Sequence, residues 1–292
     1  PRNADILICV NGEHKARADA VVSVFDSGFI LGDGVWEGLR LHNGKLAFLD
    51  QHMDRLYEGA KALDMDIGLT QAEMAARIYA VCQANSMNDG VHIRLMVTRG
   101  IKATPYQDPR VTIGSPTVVI IPEHKTALPE TASRPLKLFT THVRRGPADV
   151  QDPKLNSHSK LNCILACIQA AKAGADEGLM LDPHGFVATC NSLHIYNVKK
   201  REVWTSSGDY CLGGITRGNI LRLCRDYGIP AFEKNFSLTD VYSADEAFVT
   251  GTFAGVAPVG DVDGRVIGNG ARGPMVERLQ GLYKALIENE CR

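Results

Sequence analysis

Residues 35–65 read VWEGLRLHNGKLAFLDQHMDRLYEGAKALDM, and the fold is decided there. Two apolar-rich runs, 35–42 and 45–49, flank Asn43-Gly44, the dipeptide that best tolerates the left-handed backbone of a two-residue hairpin turn. Asp50 then stands where a helix N-cap is expected. Met53, Leu56, Tyr57, Ala60 and Leu63 recur at helical spacing, which predicts a helix over 52–65. A hairpin feeding straight into a helix marks a chain of mixed strand and helix content.

Working outward, residues 5–10 form a short apolar strand ended by the turn pair Asn11-Gly12. A second helix is expected over 71–84 and strands over 91–98 and 117–121. Residues 122–135, PEHKTALPETASRP, set three prolines and several polar residues between apolar runs, the composition of an interdomain linker. Beyond it come a strand at 136–141, a helix at 160–173, a strand-rich stretch at 179–204, a helix at 216–227, a strand at 246–250 and a closing helix at 274–288. The order predicts an α+β fold of two domains, 1–121 and a β-rich 136–292 with packed helices.

Composition narrows the class. With 292 residues, 45% of them hydrophobic and 22% charged, the chain is an ordinary globular one long enough for two domains. A formal charge of −1 gives no electrostatic grip on nucleic acid or an acidic membrane. No apolar run approaches the ~20 residues that span a bilayer, and the first residues lack the basic-then-apolar order of a secretory leader. The eight cysteines include Cys163, Cys167 and Cys224 in helical runs, which fits buried reduced thiols of a cytoplasmic protein rather than disulfides. Neither paired cysteines nor a Cys/His cluster is spaced to hold a metal.

Three segments carry candidate chemistry. In Asn156-Ser157-His158-Ser159-Lys160-Leu161-Asn162, Lys160 opens an apolar helix in which Cys163, Ile164, Leu165, Ala166 and Ile168 are expected to be largely buried. A desolvated lysine is a ready nucleophile. By composition alone a solvated lysine at a helix start is the commoner case, and Lys154 is an equal rival. Gly213-Gly214-Ile215-Thr216-Arg217-Gly218-Asn219 sets a glycine pair before a helix start, whose N–H groups and dipole suit a phosphate; many such turns serve geometry only. Thr250-Gly251-Thr252-Phe253-Ala254-Gly255 offers further hydroxyls, and Arg55 a positive charge or merely a surface arginine.

Taken in order, these segments resemble the class IV aminotransferases, the fold-type IV enzymes that use pyridoxal 5′-phosphate. The resemblance is carried by Phe25-Asp26-Ser27-Gly28, Gly32-Asp33-Gly34-Val35-Trp36-Glu37-Gly38, His52-Met53-Asp54-Arg55-Leu56, the Lys160 region, Asp182-Pro183-His184-Gly185-Phe186-Val187, Gly214-Ile215-Thr216-Arg217 and Ala244-Asp245-Glu246-Ala247-Phe248-Val249-Thr250-Gly251-Thr252. It implies a two-domain fold with the cofactor at the domain junction, and a homodimer. It also implies that Arg55, with Ile215, Thr216 and Thr252, binds the cofactor phosphate, and that Lys160 holds the cofactor covalently and moves the proton. The family's usual spacing back from Gly174 falls near Asn156. Where the family places a glutamate beside the pyridine nitrogen, this chain has Thr189, a neutral hydroxyl.

The substrate side of the resemblance is mixed. The loop 101–106, IKATPY, lacks the Arg-x-His element of D-amino-acid aminotransferases. Arg94 matches the strand arginine of branched-chain enzymes, whereas Phe253-Ala254-Gly255 is closer to the (R)-selective amine transaminases. Trp36, Arg94 and Phe253 are therefore expected around the substrate, with Trp36 alternatively a core tryptophan. The expected reaction moves an amino group from an (R)-amine or D-amino acid to a 2-oxo acid such as pyruvate. Branched-chain amino acids are the alternative donors, and an aminodeoxychorismate-type lyase or a homologue without transamination are further alternatives.

Overall fold

The structure is a computed structural model that describes residues 2–126 and 132–292. The described residues divide into two compact units. One takes 2–126, 155–160 and 290–292; the other takes 132–154 and 161–289. Lys160 thus falls with the first unit, where the expected boundaries put it in the second. Part of the expected linker is strand, because the last strand of the first unit runs to His124; residues 127–131 lie outside the described residues.

The first unit contains β1 (Leu7–Val10), β2 (Glu13–Ala16), α1 (Ser27–Leu31), β3 (Gly34–His42), β4 (Lys45–Leu46), α2 (Leu49–Ala62), α3 (Gln71–Ala84), β5 (Val91–Thr98), the short pair β6 (Ile101–Lys102) and β7 (Thr112–Ile113), and β8 (Thr117–His124). Six strands form one antiparallel sheet in the order β2-β1-β8-β5-β3-β4. The Asn43-Gly44 hairpin is present, with Leu41 opposite Leu46 and both turn residues at positive φ. Its second strand is shorter than expected. Phe48, left-handed at φ 55, turns the chain directly into α2 and is its N-cap, so Asp50 is not the cap but lies in the first helical turn, where its charge still favours the helix dipole. Val35, Leu39 and Leu41 of β3 alternate into a core with Met53 and Leu56 of α2 and Met74, Ile78 and Val81 of α3.

The second unit contains β9 (Leu136–Thr140), α4 (Ala148–Gln151), α5 (Leu161–Lys172), β10 (Glu177–Leu181), β11 (Val187–Cys190), β12 (His194–Lys199), β13 (Glu202–Thr205), α6 (Ile215–Asp226), β14 (Ala231–Glu233), α7 (Leu238–Tyr242), β15 (Glu246–Gly251), β16 (Gly255–Val262), β17 (Arg265–Val266) and α8 (Pro274–Glu290). Its sheet runs β11-β10-β9-β16-β15-β12-β13-β14, with β17 on β16. Helix α5 is the crossover between the parallel strands β9 and β10.

Burial along α5 overturns an expectation. Only Ala166 and Ala170 are buried, while Leu161, Ile164, Leu165 and Ile168 stay 67, 51, 44 and 45% exposed. The sheet takes the alanine stripe because it permits close approach: a Cβ on Gly178 of β10 would stand 3.0 Å from the Ala166 carbonyl oxygen. Cys167 is likewise exposed and Cys163 half-buried; Cys9, Cys82, Cys190, Cys211, Cys224 and Cys291 are buried, and all eight are free thiols.

Candidate active site

Strand β3 carries chemistry on both faces. Glu37 points with Val35 and Leu39 into the core and has no exposed surface. A carboxylate there demands partners, and α2 supplies them one turn apart. Arg55 donates from Nε to Oε1 and from Nη2 to Oε2, both at 2.7 Å, and His52 Nδ1 lies 2.6 Å from Oε2. Burial pushes the Glu37 carboxyl up, but hydrogen bonds from His52 and Arg55 outweigh it and hold the group below the usual carboxylate range. Burial lowers His52, against the pull of Glu37. Its Nδ1 faces an acceptor-only carboxylate and so carries a proton toward it. Arg55 is one half of a buried ion pair.

On the other face, Arg94 of β5 lies directly opposite Gly38. Its guanidinium lies over the half-buried Trp36 indole, 3.8 Å from a ring centroid. Burial lowers Arg94 from its ordinary value, with Glu123 opposing, and a guanidinium stays charged regardless.

Residues 155–160 dock on the free edge of β3. Trp36 N donates to the Asn156 carbonyl at 3.0 Å and His158 N to the Gly34 carbonyl at 2.9 Å; Val35 and Ser157 form an antiparallel bridge. The Trp36 indole N–H donates to Ser157 O at 3.1 Å, and Asn156 Nδ2 donates to Trp36 O at 2.7 Å. This segment delivers Lys160, whose Nζ donates to Asn156 Oδ1 at 3.1 Å and stands 5.3 Å from a Trp36 ring centroid. Trp36, Arg94 and Lys160 are thus brought together. Lys154 is exposed and belongs to the second unit.

The second unit holds the other expected residues. Helix α6 starts after Gly214 with no side-chain cap, so its first N–H groups, those of Ile215 and Thr216 among them, have no acceptor within the helix. A Cβ on Gly214 would fall 2.3 Å from His194 Nε2, whereas one on Gly213 would meet nothing within 4 Å. Glycine at 214 is what lets the imidazole lie against the helix start. The Thr216 hydroxyl shares a 3.2 Å hydrogen bond with Tyr283, a phenol that burial pushes up to about 12. Thr250, opposite His194 in the sheet, has a buried Oγ1 with no hydrogen-bond partner among the described residues. Thr252 and Phe253 are half-buried in the turn before β16. Thr189 is buried; its hydroxyl donates to Leu193 O at 2.9 Å and lies 3.5 Å from His194 Nδ1.

Other motif residues hold the architecture. Arg217 Nη2 donates at 2.7 Å to both Ser206 O and Glu233. The Glu246 carboxylate accepts the N–H groups of Met275 and Val276 at the start of α8. Among the described residues no His/Cys/Asp/Glu group is placed to hold a metal, and no helix is long and apolar enough to cross a membrane.

These groups can be tested against a phosphorylated aldehyde cofactor. In the second unit an uncapped helix start and a threonine hydroxyl without a partner among the described residues have the chemistry to suit a phosphate; in the first unit an arginine has the same chemistry and a half-buried lysine suits an aldehyde. No carboxylate stands at Thr189 to protonate a pyridine nitrogen; the neighbouring titratable group is the His194 imidazole.

The chain belongs to the class IV aminotransferase family, whose family model, described as amino-transferase class IV, matches residues 34–262. It is 40% identical over 278 residues to a putative branched-chain-amino-acid aminotransferase of Methanocaldococcus jannaschii, covering 95% of each chain. It is 32% identical over 291 residues to a D-alanine aminotransferase of Listeria monocytogenes, covering 97% of each. Branched-chain-amino-acid aminotransferase-like protein 2 of Arabidopsis thaliana is 40% identical over 288 residues, and there the match covers 99% of this chain but 51% of the relative; the chain spans about half the length of that protein and of its like-named companion. Among solved structures, the T.th. branched-chain amino acid aminotransferase with pyridoxamine 5′-phosphate is 29% identical with a TM-score of 0.89, covering 99% of this chain and 95% of that one. The fold-type IV architecture expected from the sequence is therefore correct.

Proposed function

We propose that the protein is a pyridoxal-5′-phosphate-dependent aminotransferase exchanging amino groups between an amino acid and a 2-oxo acid, with Lys160 the amine that holds the cofactor. The observation that carries this reading is the Lys160 ammonium held near Trp36 of β3, the same indole on which Arg94 of β5 lies. When bound, the cofactor supplies an aldehyde for the amino group and an electron sink for the substrate carbon. The residues that would hold its phosphate are Arg55 of the first unit and Ile215, Thr216 and Thr252 of the second. Lys160 carries the proton, and Thr189 offers the ring only a neutral contact.

A fixed guanidinium on an indole face favours a carboxylate-bearing donor. That supports amino acids over plain (R)-amines. The relatives at 40% identity favour branched-chain donors, and those near 32% favour D-amino acids. Exposed Leu161, Ile164, Leu165 and Ile168, at i, i+3, i+4 and i+7 along α5, support burial against a second copy as a homodimer.

Borohydride reduction of the protein with its cofactor, followed by peptide mass spectrometry, is expected to find a pyridoxyl label on Lys160. A panel of L-leucine, D-alanine and both enantiomers of an arylalkyl amine against pyruvate and 2-oxoglutarate ranks the donors. Label on Lys154 alone, or no amino exchange with any donor, overturns the reading.

A further inference from the structure

We infer that Asn156 is the positioning residue of Lys160, its carboxamide fixing where the reactive amine stands. The inference rests on the reading of Lys160 as the cofactor-holding amine. Asn156 is only 5% exposed, and both ends of its side chain are engaged. Nδ2 donates to the Trp36 carbonyl at 2.7 Å, which settles the orientation of the amide, and Oδ1 consequently faces Lys160 Nζ at 3.1 Å. The Asn156 backbone carbonyl also accepts Trp36 N–H at 3.0 Å. The carboxamide is thus fixed to the same strand residue whose ring lies near the amine.

A lysine side chain has four rotatable carbons and loses much freedom when held. Residues 156–160 lie before α5 rather than inside it, so no helical geometry aligns positions four apart. The hydrogen bond to Oδ1, with Trp36 as a wall, selects one placement of the amine among many.

The test separates holding the amine from pinning the strand. Asn156→Ala and Asn156→Asp both lose the donor to Trp36 O, but only Asn156→Ala loses the oxygen that faces Lys160. Trace acetic anhydride labelling of the cofactor-free full-length protein, read by mass spectrometry, gives the Lys160/Lys154 acetylation ratio with the exposed Lys154 as internal standard. Asn156→Ala is expected to raise that ratio at least about threefold as the hydrogen-bonded amine is released, and Asn156→Asp to leave it at or below the parent value. Equal ratios in parent and Asn156→Ala, or equal rises in both variants, overturn the inference. With pyridoxal phosphate added, Asn156→Ala is expected to slow borohydride-fixed capture at Lys160 on the order of tenfold, the scale of a misplaced reacting atom; an unchanged rate also overturns it. If the parent carries no label at Lys160, the reading of the cofactor amine falls, while the acetylation ratio still decides the role of Asn156.

Discussion

Glu37 is the residue on which the first unit can be tested hardest. Its carboxylate has no exposed surface and meets three donor atoms, Arg55 Nε and Nη2 and His52 Nδ1, at 2.6–2.7 Å. Glu37→Gln keeps the shape but turns one oxygen into an N–H2, which must face either His52 or Arg55 donor to donor. Removing one partner of a buried pair costs about 3–5 kcal/mol. The Arg55 side chain is 15% exposed, so water recovers part of that, and the expected loss is about 3 kcal/mol. Arg55→Met strands the carboxylate instead and is expected to cost a similar amount. The double variant Glu37→Leu with Arg55→Met removes both charges and is expected to cost less than the sum of the singles by about 2 kcal/mol or more. Trp36 and Trp204 are the chain's two tryptophans, one in each unit. Urea unfolding followed by fluorescence in a Trp204→Phe background therefore reports the first unit alone. A Glu37→Gln loss below about 1 kcal/mol, or an additive double variant, refutes this account of the pair.

Burial, then the charges of Arg40, Lys125 and Arg94, push His92 down to about 4. The unfolded chain binds this proton first, so the stability it contributes is complete above pH 6.5 and drains away as pH falls toward 4. The full effect is about 3 kcal/mol, and His92→Gln is expected to flatten that limb by its share, leaving the parts due to His42, His52, His124 and His158, which burial also lowers; an unchanged acid limb in urea titrations at pH 4–7 argues against it. Gly214→Ala, whose Cβ collides with His194, is expected to weaken pyridoxal phosphate binding about tenfold, whereas Gly213→Ala stays near the parent; fluorescence titration of both distinguishes them, and equal affinities sink the idea. Thr189→Glu is expected to shift the absorbance of the bound cofactor and change turnover by at least about threefold. A spectrum and rate matching the parent show that the ring does not sense position 189.

How much of this was legible in the sequence differs by residue. The hairpin at Asn43-Gly44 was plain because only a few dipeptides tolerate its backbone, and β5 and α3 follow clean periodicity to the residue. Strand β16 was not, since Gly255, Pro258 and Gly260 break every strand pattern and pairing with β15 overrides them. For α5, hydrophobicity could say that the helix is apolar all round but not which side the sheet would take. Glu37 carries a usable signal in the sequence: an acid in register with Val35, Leu39 and Leu41, with His52 and Arg55 one helical turn apart downstream. The Lys160–Asn156 contact left none, because irregular backbone brings residues four apart together only through docking on β3.

The departures from the family pattern fall on particular atoms. Arg55, Ile215, Thr216 and Thr252, the residues proposed to hold the phosphate, match it, and Gly214 and Thr250 add a fitted helix start and an unused hydroxyl. Thr189 and the Asn156–Lys160 arrangement, which bear on ring and amine, do not. Because Glu37 balances the Arg55 charge inside the first unit, Arg55 would offer a phosphate aimed hydrogen bonds more than net charge. On the proposed reading, cofactor retention would depend on the phosphate-directed residues, and amino transfer on Thr189 and on the reach of Lys160. The two are set by different side chains, so they are separable by mutation. A variant at Gly214 that loses cofactor and one at Asn156 that keeps cofactor but captures it slowly would establish that separation, and equal losses of both properties in each variant would abolish it.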